Sequence, residues 1–170
     1  MDRWLKYFTK EEVAGFKNAR NLYGKAYLIC EKVFDGKSHS SGVPYMDHLV
    51  AVADRFSDDK AKVVALLHDI MKETELTAMD LNYIGFPSDI VKTVSLMTRE
   101  NGESYDEFIN RMINSKNNMA VQIKKADLEQ NMDLSNYESV TDEYLNRIDV
   151  KYKPQYEKIV GYLGDLEKEN

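Results

Sequence analysis

The sequence is poor in the residues that build covalent or turn-rich scaffolds: one cysteine, three prolines and eight glycines in 170 residues. One cysteine excludes an internal disulfide framework and a cysteine-cluster zinc site, and it points to a reducing compartment. Histidine is equally scarce, with three in all, so a mainly histidine metal site would need nearly every one. No apolar run approaches the roughly 20 residues of a membrane span, and Met1 to Phe8 holds no apolar core of signal-peptide length. A cytoplasmic protein without a membrane partner is therefore expected. Positive charge is also in short supply: 23 Lys+Arg face 29 Asp+Glu, a net charge of -6, with a pI near 5.2. Such a surface repels phosphate backbones on average, so no nucleic-acid polymer is expected as a partner. A pocket for a small anion is still allowed, because a handful of residues can oppose the mean field. Alternating strand patterns and internal repeats are missing too, which argues against a sheet.

What is present is helical periodicity. Thr9 and Glu12 form a capping box, and apolar residues recur from Val13 to Phe34 at helical spacing, predicting one long first helix that ends near Phe34. A polar loop, residues 36–43, leads to Pro44, and Leu49, Val52, Ala53 and Phe56 give a second helix its buried stripe. A third helix is predicted from about Lys60 to Glu73, and its centre, Val63 to Leu67, is apolar on all sides, the mark of a helix in the middle of a bundle. Thr77 with Asp80, Ser88, Ser104 with Glu107, and Asn117 or Asn118 start further helices, the last of them running to about Met132. Thr141 begins a final segment that Pro154 divides or kinks near Lys153. The prediction is a single all-α domain over residues 1–170.

The chemistry-bearing residues sit on these apolar stripes. His68 and Asp69 close the third helix, where an imidazole and a carboxylate are costly to bury unless something pairs with both. A divalent metal would do so; a helix C-terminus with His68 on the dipole and Asp69 in solvent would also account for the pair. His48 shares the inward face of the second helix with Val52, and Asp127 follows Val121, Ile123 and Ala126 on another inward stripe. Three helices thus each aim a metal-competent group inward, as bundles do when they build metal sites from facing helices.

Three motifs in this order resemble a known family. Residues 41–48, Ser-Gly-Val-Pro-Tyr-Met-Asp-His, are similar to S-G-x-P-Y-x-x-H; Ala65-Leu66-Leu67-His68-Asp69 to A-L-L-H-D; and residues 123–132 to V-K-L-A-D-x-x-H-N-M. Together they resemble the HD-domain superfamily of metal-dependent phosphohydrolases, in the RelA/SpoT-type (p)ppGpp hydrolase branch and its small stand-alone relatives, most strongly over residues 20–145. The resemblance implies an HD-domain helical bundle with a metal site between helices. It implies that His48, His68, Asp69 and Asp127 hold one divalent ion, with Mn(II) first and Zn, Fe, Mg or Co as alternatives. It implies hydrolysis of a small phosphorylated nucleotide, by removal of the 3′-pyrophosphate of (p)ppGpp.

Several positions depart from the family. Where it has Glu-Asp after the His-Asp pair, this chain has Lys72 and Glu73; Glu73 lies four residues after Asp69 and is the candidate base or water-orienter. Lys72 is a candidate phosphate clamp or a partner of Glu73. Where the family has Arg-Lys in its purine-binding loop, this chain has His39 and Ser40, candidate substrate contacts. Asn131 is kept, one turn beyond Asp127, and a later threonine is replaced by Leu134. Lys37, Lys72, Arg99 and Lys124 are candidate local positive charge, significant only if they cluster. Two further functions fit the same residues: a nucleoside monophosphatase or phosphodiesterase, and a nucleotide-binding regulatory HD domain with weakened catalysis. The oligomeric state is left open, a homo-oligomer included.

Overall fold

A computed structural model describes residues 3–137 and 139–169. After a 3-10 turn at Arg3–Lys6, the chain forms α1 (Lys10–Asn18), α2 (Leu22–Val33), α3 (Tyr45–Ala53), α4 (Asp59–Leu67), α5 (Ile70–Glu73), α6 (Ala78–Ile84), α7 (Ser88–Leu96), α8 (Tyr105–Asn114), α9 (Asn118–Met132), α10 (Asp142–Arg147) and α11 (Lys153–Glu169). Among the described residues there is no strand, only an isolated bridge between Ser38 and Pro44. None of these helices is long and apolar enough to cross a membrane. The all-α expectation holds.

The helix starts follow local side-chain chemistry. Thr9, Thr77 and Ser104 each accept from the backbone three residues on, while Glu12, Asp80 and Glu107 reach back to complete capping boxes. Asp58 caps α4 and Asn117 caps α9 through the N–H groups of Ala61 and Ala120. Helix α4 lies at the centre, with α2, α3, α7 and α9 packed around it, and Val63 to Leu67 are all buried. An all-round apolar helix needs neighbours on every side, and it has them.

Two predicted helices are each divided. The first, expected to run unbroken to Phe34, stops at Asn18 and restarts at Leu22, because Asn21 turns its side chain back to accept from the Gly24 N–H. A short polar side chain that bonds the local backbone competes with a continuing helix. The third, expected over 60–73, ends at Leu67, with His68 as its cap and Asp69 leading into α5. Pro154 acts as expected in a specific way. The chain widens into a π-turn over Ile148–Tyr152, and the Lys153 N–H donates to Ile148 O, five residues back. Proline has no N–H to continue the ordinary ladder, so the irregular turn falls just before it.

Candidate metal centre

Helices α3, α4 and α9 pack against one another, and each brings one part of the site. Pro44 precedes the first residue of α3, where its fixed φ suits a helix start; His48 follows within that helix beside buried Leu49 and Val52. His68 and Asp69 stand where α4 ends. Asp127 projects from the middle of α9. His48, His68 and Asp127 are 2–3% exposed, a degree of burial that polar groups tolerate only when paired.

The ligand-type atoms converge. Those of His48, His68 and Asp69 all lie within 4.8 Å of one another, a group able to hold a metal ion. Asp127 is close as well: its Oδ1 is 3.2 Å from His48 Nε2 and 3.5 Å from His68 Nε2. His68 Nε2 is also 3.6 Å from Asp69 Oδ2. Yet both Nε2 atoms are buried without a hydrogen-bond partner. The Ala65 carbonyl takes the proton on His68 Nδ1 at 2.6 Å, which leaves the Nε2 lone pair facing the centre in the neutral ring. Two orphaned imidazole nitrogens opposite ionised carboxylates are a donor set that fits a divalent cation.

The surrounding residues hold the carboxylates. Tyr45 OH donates to Asp69 Oδ2 at 2.7 Å. Asn131 Nδ2 donates to Asp127 Oδ1 at 2.8 Å, and Lys124 Nζ lies 2.7 Å from Asp127 Oδ2. Burial opposes ionisation of both acids, but it is outweighed. His68 and then Lys72 bring Asp69 down to about 2, and Lys124 with the two imidazoles holds Asp127 well below the ordinary 3.8. Burial opposes the charged form of His68 too, yet Asp69, Asp127 and the Ala65 carbonyl raise it above the usual 6.5.

A cavity of about 450 Å³ opens on the two carboxylates of this cluster, with His48 and His68 behind its wall. His39, Ser40, Asp69, Lys72, Asp127 and Asn131, all expected from sequence, are on its wall. Lys72, Arg99 and Lys124 cluster there as well, so their positive charge is shared by one cavity. Glu73 is not on the wall; its carboxylate sits 2.7 Å from Lys72 Nζ, and its carbonyl accepts from Lys37. Lys72 also lies 3.5 Å from Asp69 Oδ1, which makes it a paired cation. A larger groove of about 810 Å³ lies elsewhere, lined by residues such as Arg20, Lys60 and Asp89. It contains no histidine, and Lys60 and Asp89 pair with each other; the chemistry favours the smaller cavity.

Sequence reasoning missed Lys151 and Tyr152, which the π-turn brings to the cavity wall. Burial first, then repulsion from Lys124, Arg99 and Lys72, lowers the Lys151 pKa. It also missed the work done by Tyr45, which stacks on Phe34 with ring centres 4.4 Å apart while its hydroxyl serves Asp69. The available signal was its place three residues before His48.

Comparison with known proteins identifies relatives. The chain is 32% identical over 120 residues to the bifunctional (p)ppGpp synthase/hydrolase SpoT of Escherichia coli (strain K12), covering 64% of this chain and 17% of that protein. The similarity is to (p)ppGpp hydrolases. A guanosine-3′,5′-bis(diphosphate) 3′-pyrophosphohydrolase of Vibrio cholerae is 26% identical over 140 residues, covering 75% of this chain and 19% of that protein. The GTP pyrophosphokinase rsh of Brucella ovis is 30% identical over 100 residues, covering 55% and 13%. No protein-family model matches the chain. The resemblance carried by the three motifs is thus borne out, and the chain spans less than a fifth of the length of these relatives.

Proposed function

We propose that this chain is a metal-dependent phosphohydrolase of small phosphorylated nucleotides, with the 3′-pyrophosphate of (p)ppGpp as the first substrate to be tested. The observation that carries the reading is the pair of buried, unpartnered imidazole nitrogens facing ionised carboxylates beside a cationic cavity. The names of the relatives support the substrate class.

His48, His68, Asp69 and Asp127 would hold one divalent ion, Mn(II) by the family resemblance. When bound, such an ion supplies Lewis acidity toward a phosphoryl oxygen and makes water acidic enough to attack near neutral pH. The chain's own groups do the rest. Tyr45, Asn131 and Lys124 fix the two carboxylates in place before any substrate arrives. Lys72, Arg99, Lys124 and Lys151 draw the phosphates into a cavity of an otherwise acidic protein. Glu73 is the candidate to accept or orient the proton of the attacking water, once a phosphate competes for Lys72 and frees it. Ser40, His39 and Asn131 line the side on which the nucleoside would lie. The setting proposed is cytoplasmic.

A second reading is a nucleotide-binding regulatory domain with weakened catalysis, and the position of Lys72 favours it: its ammonium neutralises both Asp69 and Glu73. A substrate panel with Mn(II) separates the readings. Purified chain is assayed on (p)ppGpp, nucleoside monophosphates, cyclic nucleotides and a generic phosphoester. Release of pyrophosphate from (p)ppGpp well above the other substrates is the expected result. Turnover of monophosphates or cyclic nucleotides alone would move the assignment to a phosphatase or phosphodiesterase. Tight binding of (p)ppGpp without turnover of any member would establish the regulatory reading.

A further inference from the structure

We infer that His39 is a positioning residue for His48, holding that imidazole in its metal-facing orientation by lying flat against it. The inference rests on the metal reading above and goes beyond it, because the sequence suggested His39 only as a nucleotide contact.

The two histidines of the centre are held differently. His68 is tethered through Nδ1 to the Ala65 carbonyl. His48 Nε2 is buried without such a bond, and what lies near it is the Asp127 carboxylate at 3.2 Å. Metal-binding histidines ordinarily have their second nitrogen fixed by a carbonyl or carboxylate, which sets the ring's orientation. What His48 has is a plate. The His39 ring stacks on it with centroids 4.0 Å apart and planes 7° from parallel. Tyr45 meets the His48 ring edge-on at 6.2 Å and 84°, so two ring contacts brace the imidazole while Asp127 approaches its Nε2.

His39 is itself fixed. Its Nδ1 lies 3.0 Å from Ser41 Oγ and accepts from the Ser41 N–H at 3.3 Å, and Tyr45 stands edge-on to it at 5.5 Å and 78°. The loop beneath is closed by the His39 N–H to Val43 O and the Gly42 N–H to His39 O, each 2.9 Å. Gly42 takes a φ of +94° to make that turn, a conformation that favours glycine. The loop is therefore a rigid support whose histidine gives one ring face to His48.

The test measures Mn(II) affinity by chelator competition, independently of turnover, in the wild type, His39→Ala, His39→Phe and His68→Ala. Thermal unfolding in EDTA confirms that each variant is folded. His39→Ala is expected to weaken Mn(II) binding by about 10-fold or more, the usual effect of losing an orienting partner. His39→Phe, which keeps a flat ring, is expected to stay within about threefold of the wild type. Wild-type affinity in His39→Ala, or a His39→Phe variant as weak as His39→Ala, overturns the inference. Failure of the metal reading is a separate outcome: it appears as His68→Ala binding as tightly as the wild type.

Discussion

The centre depends on a few hydrogen bonds whose removal has a calculable direction. Tyr45→Phe deletes the only hydroxyl on Asp69 Oδ2 among the described residues and leaves the ring stack on Phe34 intact. Mn(II) affinity is expected to fall by 10- to 100-fold with little loss of stability, measured by chelator competition beside urea unfolding. Lys72→Glu restores an acid at the position where the family has one. If Lys72 holds Glu73 back, turnover rises; if Lys72 holds phosphate, KM rises and kcat/KM falls. The pH dependence follows from His68. Its pKa in the folded state is raised, so its contribution to stability is complete below the unfolded value of about 6.5 and is lost as the pH rises through the folded value. Metal-free protein should therefore lose urea resistance across that interval. Saturating Mn(II) should reverse the trend, because the ion requires the neutral ring. A flat profile in EDTA would contradict the assignment. The candidate ligands stood out in the sequence because His48, His68 and Asp127 interrupt apolar stripes, where a polar residue needs a reason. Lys124 was named only as candidate local charge, and its pairing with Asp127 was hidden because beside Lys125 it reads as part of a solvated face.

At the scale of elements, helix starts were readable and helix breaks were not. Capping residues act within four positions of sequence, so Thr9, Thr77 and Ser104 could be identified by spacing alone, while the choice between Asn117 and Asn118 needed the structure. The break at 19–21 was hidden because the apolar period continues through it in both α1 and α2. The break at His68 and Asp69 has the same origin, and it has a function: ending α4 there leaves His68 and Asp69 free to face α9. Asn117 ties the start of α9 to a neighbouring helix. Its Oδ1 accepts from Ala120, and its Nδ2 donates to Thr93 Oγ1 on α7. Asn117→Ala is expected to cost about 1–2 kcal/mol of stability, read from the urea midpoint. Mn(II) affinity should change little, because Asp127 lies more than two turns further along α9.

The molecule is an acidic bundle in which four basic side chains gather on the cavity beside the candidate centre. Its fold was legible in sequence through the central helix α4, but the cavity was only half visible. Arg99 and Lys72 lie inside the region of family resemblance, whereas Lys151 reaches the wall from beyond it, through a π-turn that proline imposes. Lys151→Ala should raise KM for a polyphosphorylated nucleotide and reduce the salt dependence of kcat/KM, with the metal content unchanged. Binding a metal ion to the native state alone should also stabilise the protein, by about 2.7 kcal/mol at a free concentration 100 times Kd.

The most direct test of the central claim is the metal content of the purified chain after loading with Mn(II) and gel filtration. The account predicts close to one ion per chain in the wild type and nearly none in His68→Ala or Asp127→Ala, with all three folded. Full metal content in both variants, or none in the wild type, would contradict it.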